Sequence, residues 1–431
     1  MAKTKKRNEK HEKRVKKLIV GSGLCAILLI VSTYAWFIGM KTVNVSSFDV
    51  SIAAIDQLSL SLDGENWANT VEISSTTYNT KSYSGNTNTW GGKGLIPMST
   101  VGKIDTNASR MILFEKGSLT ATAGGYRLMA SQVKNSVTDG KEADGYVAFD
   151  LFVRNLSGNE YYSEMNKLNE EAIYLTTDSA VTVASDGIAN TGIENSVRVA
   201  FAQIGRVRAT TTDVGTITGI TCATAGSVTG ICANRDAQIW EPNDKAHVQN
   251  AINWYTTSCK KRTGDSVTAE GAYGGACKTI TNNEAYQTYA VSGEIGYADN
   301  VDVYDGSAYN EYTGSIAASA QAGKLVAYDT FTDTEKNVAG VDRPQFITLA
   351  PNSITKIRVY IYIEGQDVDN YDFASLGKKI SVAFGFTKQR YFDEDVQYNS
   401  TNTAVLPDDV IKNEANRSTA NAANNAANNA G

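Results

Sequence analysis

The chain has 431 residues, a formal net charge of −6 and only two histidines. Nine Lys/Arg against two Glu give residues 1–40 a charge of +7, so residues 41–431, with 31 Lys/Arg against 44 Asp/Glu, carry −13. An acidic body argues against nucleic acid and anionic membrane surfaces as partners, since both need clustered Lys and Arg. With His11 in the basic head and His247 alone beyond it, chemistry built on histidine bases or ligands has little to work with.

In chain order, residues 1–17 form the basic head and Leu18–Met40 is a charge-free apolar run. As a helix the run would measure about 34 Å, enough to cross a bilayer core of about 30 Å. The basic flank predicts that the head stays in the cytoplasm and that everything after residue 40 is exported. Thr33-Tyr34-Ala35 places small residues at the two positions a signal peptidase reads, which predicts cleavage after Ala35. The uncut span is also long enough to stay as an anchor, and either outcome leaves the same body outside the cell.

The export segment feeds directly into alternation. Phe48, Val50, Ile52, Leu58, Leu60 and Leu62 share one parity, whereas Val43 and Val45 share the other. The pattern predicts a half-buried strand pair with a bulge at Ser46-Ser47, followed by a turn at Asp63-Gly64. Tyr146–Arg154 is the clearest central strand, with Val147, Phe149, Leu151 and Val153 on one side and Asp150 and Arg154 on the other. Ser196–Ile204, Ile354–Gly365 and Lys379–Lys388 repeat the same alternation. Together they predict a mainly β protein, an antiparallel sandwich over residues 41–204 and 301–395.

Between these halves, residues 205–300 are rich in Thr and Gly and carry Cys222, Cys232, Cys259 and Cys277. Four cysteines in an exported chain read as two disulfides on an insertion. Local pairing, Cys222–Cys232 and Cys259–Cys277, is favoured among the three connectivities because each bond closes one loop. Intervals of nine and seventeen residues do not resemble the short clips that zinc prefers. A short helix over Asp244–Thr256, capped by Asp244, would present His247 at a surface. Residues 396–431 end in low-complexity Ala/Asn that cannot bury a core.

The segment STYAWF followed at once by TVNVSSFDVSI resembles camelysin/TasA-type exported proteins of Gram-positive bacteria, whose signals are processed by a dedicated peptidase. YVAFDLFVRN, SVRVAFAQIG, QIWEPN and RVYIYIEGQDVDNYDF resemble strands of secreted proteins that share this signal. The resemblance implies a jelly-roll-like sandwich and assembly into matrix fibres by passing an N-terminal strand, here Val43, Val45, Phe48, Val50 and Ile52, to the next copy. This chain is longer than those fibre proteins and carries the cysteine insertion. Camelysin is classed as a metalloprotease, but the sequence holds no His-Glu-x-x-His, so that activity is not implied.

Glu364, Asp367 and Asp369 bring oxygen ligands close together, as an extracellular Ca²⁺ site would, although the spacing fits no standard calcium loop and a solvated turn between two strands is the favoured reading. Trp67, Trp90, Trp240 and Trp254 would form a sugar-binding platform if exposed, and core residues otherwise. No catalytic constellation is visible. The reading is therefore a non-enzymatic, exported surface or matrix protein whose partners are its own copies or other surface proteins. A carbohydrate-binding module and an exported hydrolase are the alternatives.

Overall fold

The computed structural model describes residues 45–254, 280–291, 300–302, 325–327, 346–388, 397–398 and 404–405, apart from short stretches inside these ranges. The basic head, the export segment with Ala35, Val43, Cys259, Cys277 and most of the tail lie outside the described residues. The fold is mainly β, and the long strands at its centre are those in which alternation is strongest; the hairpin of Phe114–Thr122 and Gly125–Gln132 forms without that pattern. The strands that build its centre are β1 (Val45–Ala54), β2 (Leu58–Ser61), β3 (Thr70–Ser74), β4 (Val147–Asn155), β5 (Glu171–Leu175) and β6 (Ala180–Val183). The rest of that centre is β7 (Val197–Arg208), β8 (Gln238–Trp240), β9 (Ile347–Leu349), β10 (Ser353–Glu364) and β11 (Lys378–Lys388).

Two mixed sheets result. The smaller has the order β9-β5-β11-β1-β3, with β6 also on β11. In the larger, β10 lies between β7 and β4, β4 also pairs with β2, and β8 pairs with β7. The expected antiparallel arrangement needs correction, because β1 runs parallel to β11, with Val50 opposite Val382 and Ile52 opposite Phe384. The end of β10 is likewise parallel to Pro97–Ser99. Parallel neighbours need a long crossover, and nearly the whole domain supplies it between β1 and β11. Alternation predicts a strand and its buried face but not which strand will lie beside it.

A second correction concerns the beginning of the body. β1 and β2 do not pair with one another: β1 belongs to the smaller sheet and β2 to the larger. Gln57, at φ 65°, turns the chain between them, so that Val50, Ile52, Leu58 and Leu60 reach the same core from opposite sheets. The expected irregularity is present, with the β1–β11 register shifting between Val45 and Ser47. Asp63-Gly64 turns the chain as expected, with Gly64 at φ 75° and its N–H donating to Ser61 Oγ at 2.8 Å.

The sheets face each other across one apolar core. Val147, Phe149, Leu151 and Val153 from β4, Val197, Val199 and Phe201 from β7, and Ile357 to Ile363 from β10 meet Ile380, Val382, Phe384 and Phe386 from β11. Phe201 is its cross-sheet anchor, edge-on to Phe346 at 4.7 Å and to Phe384 at 4.9 Å.

The outer face of the larger sheet is covered as well. Ala148, Phe152, Ala200, Ala202, Tyr360 and Tyr362 lie beneath residues from two segments, 98–113 and 217–239. Every residue of β10 is therefore buried. Within the second segment the Cys222–Cys232 disulfide forms, with Cα atoms 5.4 Å apart. The cysteine region is built into the larger sheet: β7 runs on to Arg208, and both β8 and Thr229–Gly230 pair with it.

Candidate functional site

Two places answer to the sequence expectations: the strand that follows the export segment and the carboxylates after β10. β1 is an internal strand, flanked by β11 on one side and β3 on the other. Its inward residues are closely matched on both sides, with Val50 opposite both Val382 and Ile73, and Ile52 opposite both Phe384 and Val71. Val50 and Ile52 are buried in the shared core. The backbone of Val45 and Phe48 continues the ladder, opposite Lys378 and Ile380. β1 thus fills a slot whose walls are the last long strand and β3, and residues 55–57 alone join it to β2.

The carboxylates after β10 do not form a solvated turn. Glu364 and Asp369 are fully buried, and the loop folds back onto β7 and the segment around residue 247. Asp367 Oδ2 accepts from Arg198 Nη2 at 2.6 Å, and its Oδ1 accepts from Ser196 Oγ at 3.1 Å. Arg198 also pairs with Glu241, and neither side chain reaches solvent. One guanidinium serves two carboxylates, and the imbalance shows in the acids. Burial pushes the Glu241 carboxyl well above its ordinary pKa, and Asp367, Asp244 and Glu364 add to the rise despite Arg198.

His247 closes the cluster on its far side. Its Nδ1 lies 2.8 Å from Asp369 Oδ2 and its Nε2 lies 3.0 Å from the Glu284 carbonyl oxygen. With Asp369 ionised both partners are acceptors, and an imidazolium that donates from both nitrogens satisfies the geometry in full. Burial would lower the His247 pKa, but the Asp369 hydrogen bond and the nearby Asp367 and Asp369 charges outweigh it and raise the value. Burial raises the Asp369 carboxyl to about 6.

The expectation of a surface histidine is overturned: His247 is buried, and the described helical turn begins after it, at residue 249. Asp244 is buried too, away from that helix start. With both ring nitrogens engaged, His247 acts as a structural cross-brace between the 367–371 loop and the segment around residue 284.

Glu364, Asp367 and Asp369 are brought together, but around protein cations. Among the described residues no group of three or more His, Cys, Asp or Glu side chains is arranged to hold a metal ion. Arg198 and Glu241 were not singled out by the sequence. The signal for Arg198 was a charge at alternate parity on an otherwise apolar strand, which reads as solvent-facing until a covering layer is known, whereas Glu241 directly follows β8. The tryptophans are placed in packing positions: Trp240 is fully buried, Trp90 stacks on Tyr78 at 5.5 Å, and Trp67 lies under the Arg154 guanidinium at 4.4 Å. Trp254 packs against the shared core.

A second buried ionic group lies under the covering layer. Arg358 Nε donates to Asp150 Oδ1 at 2.8 Å, Lys356 Nζ lies 3.3 Å from Asp150 Oδ2, and the Tyr146 and Tyr360 hydroxyls donate to Glu142 at 2.6 and 3.0 Å. Burial would raise the Asp150 pKa, but Arg358 and Lys356 bring it below the usual carboxylate range. These groups are mutually satisfied and hold the covering layer on the sheet. No protein-family model matches the chain, and neither a curated protein nor a solved structure matches it.

Proposed function

We propose that the chain is an exported structural protein of the cell surface or extracellular matrix, of jelly-roll-like architecture, which assembles by passing its N-terminal strand to the next copy. The observation that carries this reading is the position of β1: an internal strand, parallel to the last long strand, joined to the body on one side by three residues. Such a strand makes most of its contacts with elements distant in sequence, so an identical strand from a neighbouring copy satisfies the same hydrogen bonds and the same apolar pockets. A short link discourages the strand from folding back once a neighbour's slot is open. The acidic body suits solubility outside the cell, and the engagement of His247, Asp367 and Asp369 with protein partners supports a non-enzymatic role. The camelysin/TasA-like signal followed by this strand supports the same reading.

The test is assembly of a chain beginning at Trp36 or Lys41, followed by light scattering and electron microscopy. Filaments or large oligomers are expected, and removal of residues 36–54 should abolish them while leaving a body that takes up a synthetic peptide of residues 42–54. A starting chain that stays monomeric at every concentration would overturn the proposal.

A further inference from the structure

At one end of the shared core the inward rows of three strands each run one step past their last apolar residue. The row Val147-Phe149-Leu151-Val153 of β4 continues to Asn155, the row Ile380-Val382-Phe384-Phe386 of β11 continues to Lys388, and Glu171 precedes Ile173 and Leu175 on β5. These three polar residues meet. Lys388 Nζ lies 3.2 Å from Asn155 Oδ1 and 3.3 Å from Glu171 Oε2, and Asn155 Nδ2 donates to the same Glu171 oxygen at 2.7 Å. Asn155 is fully buried, and the side chains of Lys388 and Glu171 are 13% and 12% exposed.

We propose that Lys388 and Asn155 condense to an intramolecular isopeptide bond that joins the two sheets, with Glu171 as the catalytic proton carrier. An amine, a carboxamide and a carboxylate that touches both are the complete set of groups for this transfer. The Lys388 ammonium gives a proton to Glu171, and the neutral amine adds to Asn155 Cγ. The developing oxyanion is Asn155 Oδ1, which already accepts from the Ser157 N–H at 3.3 Å and lies 2.7 Å from the Ser157 hydroxyl, a group that also contacts Glu171 Oε2 and has one proton to share between the two. Glu171 then passes a proton to Asn155 Nδ2, which it already contacts, and takes another from the former lysine nitrogen. The Cγ–Nδ2 bond breaks, the Cγ–Nζ bond remains, and ammonia leaves. No oxidant, reductant or further reactant is required. Holding the amine and amide together in a nearly dry site supplies the effective concentration such a slow reaction needs, and the low water content limits competing hydrolysis.

The bond would close a loop between residues 155 and 388 and tie the larger sheet to the smaller where β4, β5 and β11 end. That is a load-carrying position, because β4 and β11 lie in different sheets and the bond would join them covalently. The inference does not depend on strand exchange, since all three residues belong to one copy.

The test is mass spectrometry of the intact full chain, reduced and denatured, with tryptic mapping and the N-terminus determined in the same sample. A chain lighter by one ammonia is expected, with no cleavage after Lys388 and a branched peptide that joins Lys388 to Asn155. Glu171→Gln should restore the unmodified mass while keeping the wild-type circular dichroism, and Lys388→Arg should do the same. The wild-type mass is decisive even if a variant fails to fold. A chain at its unmodified mass, or an ammonia loss mapped to another residue, would overturn the proposal; full cross-linking in Glu171→Gln would remove Glu171 from its role.

Discussion

The two faces of the larger sheet are both buried, yet they are held by different means. Its inner face meets the smaller sheet through apolar rows, interrupted by Asn155, Glu171 and Lys388 at one end and by Gln203 at β9, and Phe201 touches Phe346, Phe384 and Phe386. Its outer face lies under a layer of irregular chain and carries Asp150, Lys356 and Arg358 in the same strands. The contrast teaches that a charge midway along an alternating strand can mark a face covered by irregular chain and need not mark a face open to water. Irregular segments leave polar backbone groups that charged side chains can reach, as Lys356 Nζ reaches the Thr218 carbonyl oxygen at 2.9 Å.

The largest effect should come from the inner face. Phe201→Ala leaves a cavity among three rings and should cost about 4 to 5 kcal/mol, measured by denaturant unfolding. Asp150→Ala on the outer face should cost about 3 to 4 kcal/mol, because it strands Arg358 and Lys356 without their carboxylate. The two faces then part company. Replacing Asp150, Lys356 and Arg358 together by apolar residues of similar volume should recover most of the outer-face loss, whereas no polar rescue exists for Phe201. If the triple replacement is as damaging as Asp150→Ala, the outer face depends on its charges in a way that this contrast denies.

Opening the Cys222–Cys232 loop by Cys→Ser at both positions should cost about 2.5 kcal/mol. The loss should appear first in the covering layer, as faster amide exchange around residues 217–239 than in β4.

The smallest effect is one of pH. His247 has its folded pKa raised by Asp369 and Asp367 against the opposing effect of burial, so its contribution is complete below the unfolded value of about 6.5 and is lost as pH rises through the folded value. Asp369, raised to about 6 by burial, acts in the same direction at lower pH, since the folded state holds its proton more tightly. Asp150 has the opposite sign: its contribution is present above the unfolded carboxylate range and is lost only in strong acid. The wild-type advantage over His247→Gln should therefore shrink as pH rises through neutrality. An advantage that grows instead would mean that His247 is neutral in the folded state.

Much of the scaffold was legible in period-two alternation. The rows of β4, β7, β10 and β11, the register shift after Val45 and the Asp63-Gly64 turn each follow from local residue types. Pairing was less legible. Nothing in TVNVSSFDVSI says that its neighbours are residues 70–74 and 378–388, because either pair of apolar rows fits equally well locally. The carboxylates of the 367–369 loop read as solvent-facing because Arg198 and His247, more than a hundred residues earlier, gave no sign of meeting them. The end of the core carried a readable signal that alternation alone brings out: Asn155 and Lys388 continue inward rows at the parity of Val153 and Phe386.

Strand exchange makes one prediction that no other arrangement shares. Ser51 and Glu72 face each other across β1 and β3, and cysteines placed at both positions should, after assembly and mild oxidation, join different copies. A ladder of covalent oligomers on a non-reducing gel is the expected result. A single band at the mass of one chain, with the new disulfide mapped inside it, would contradict the account.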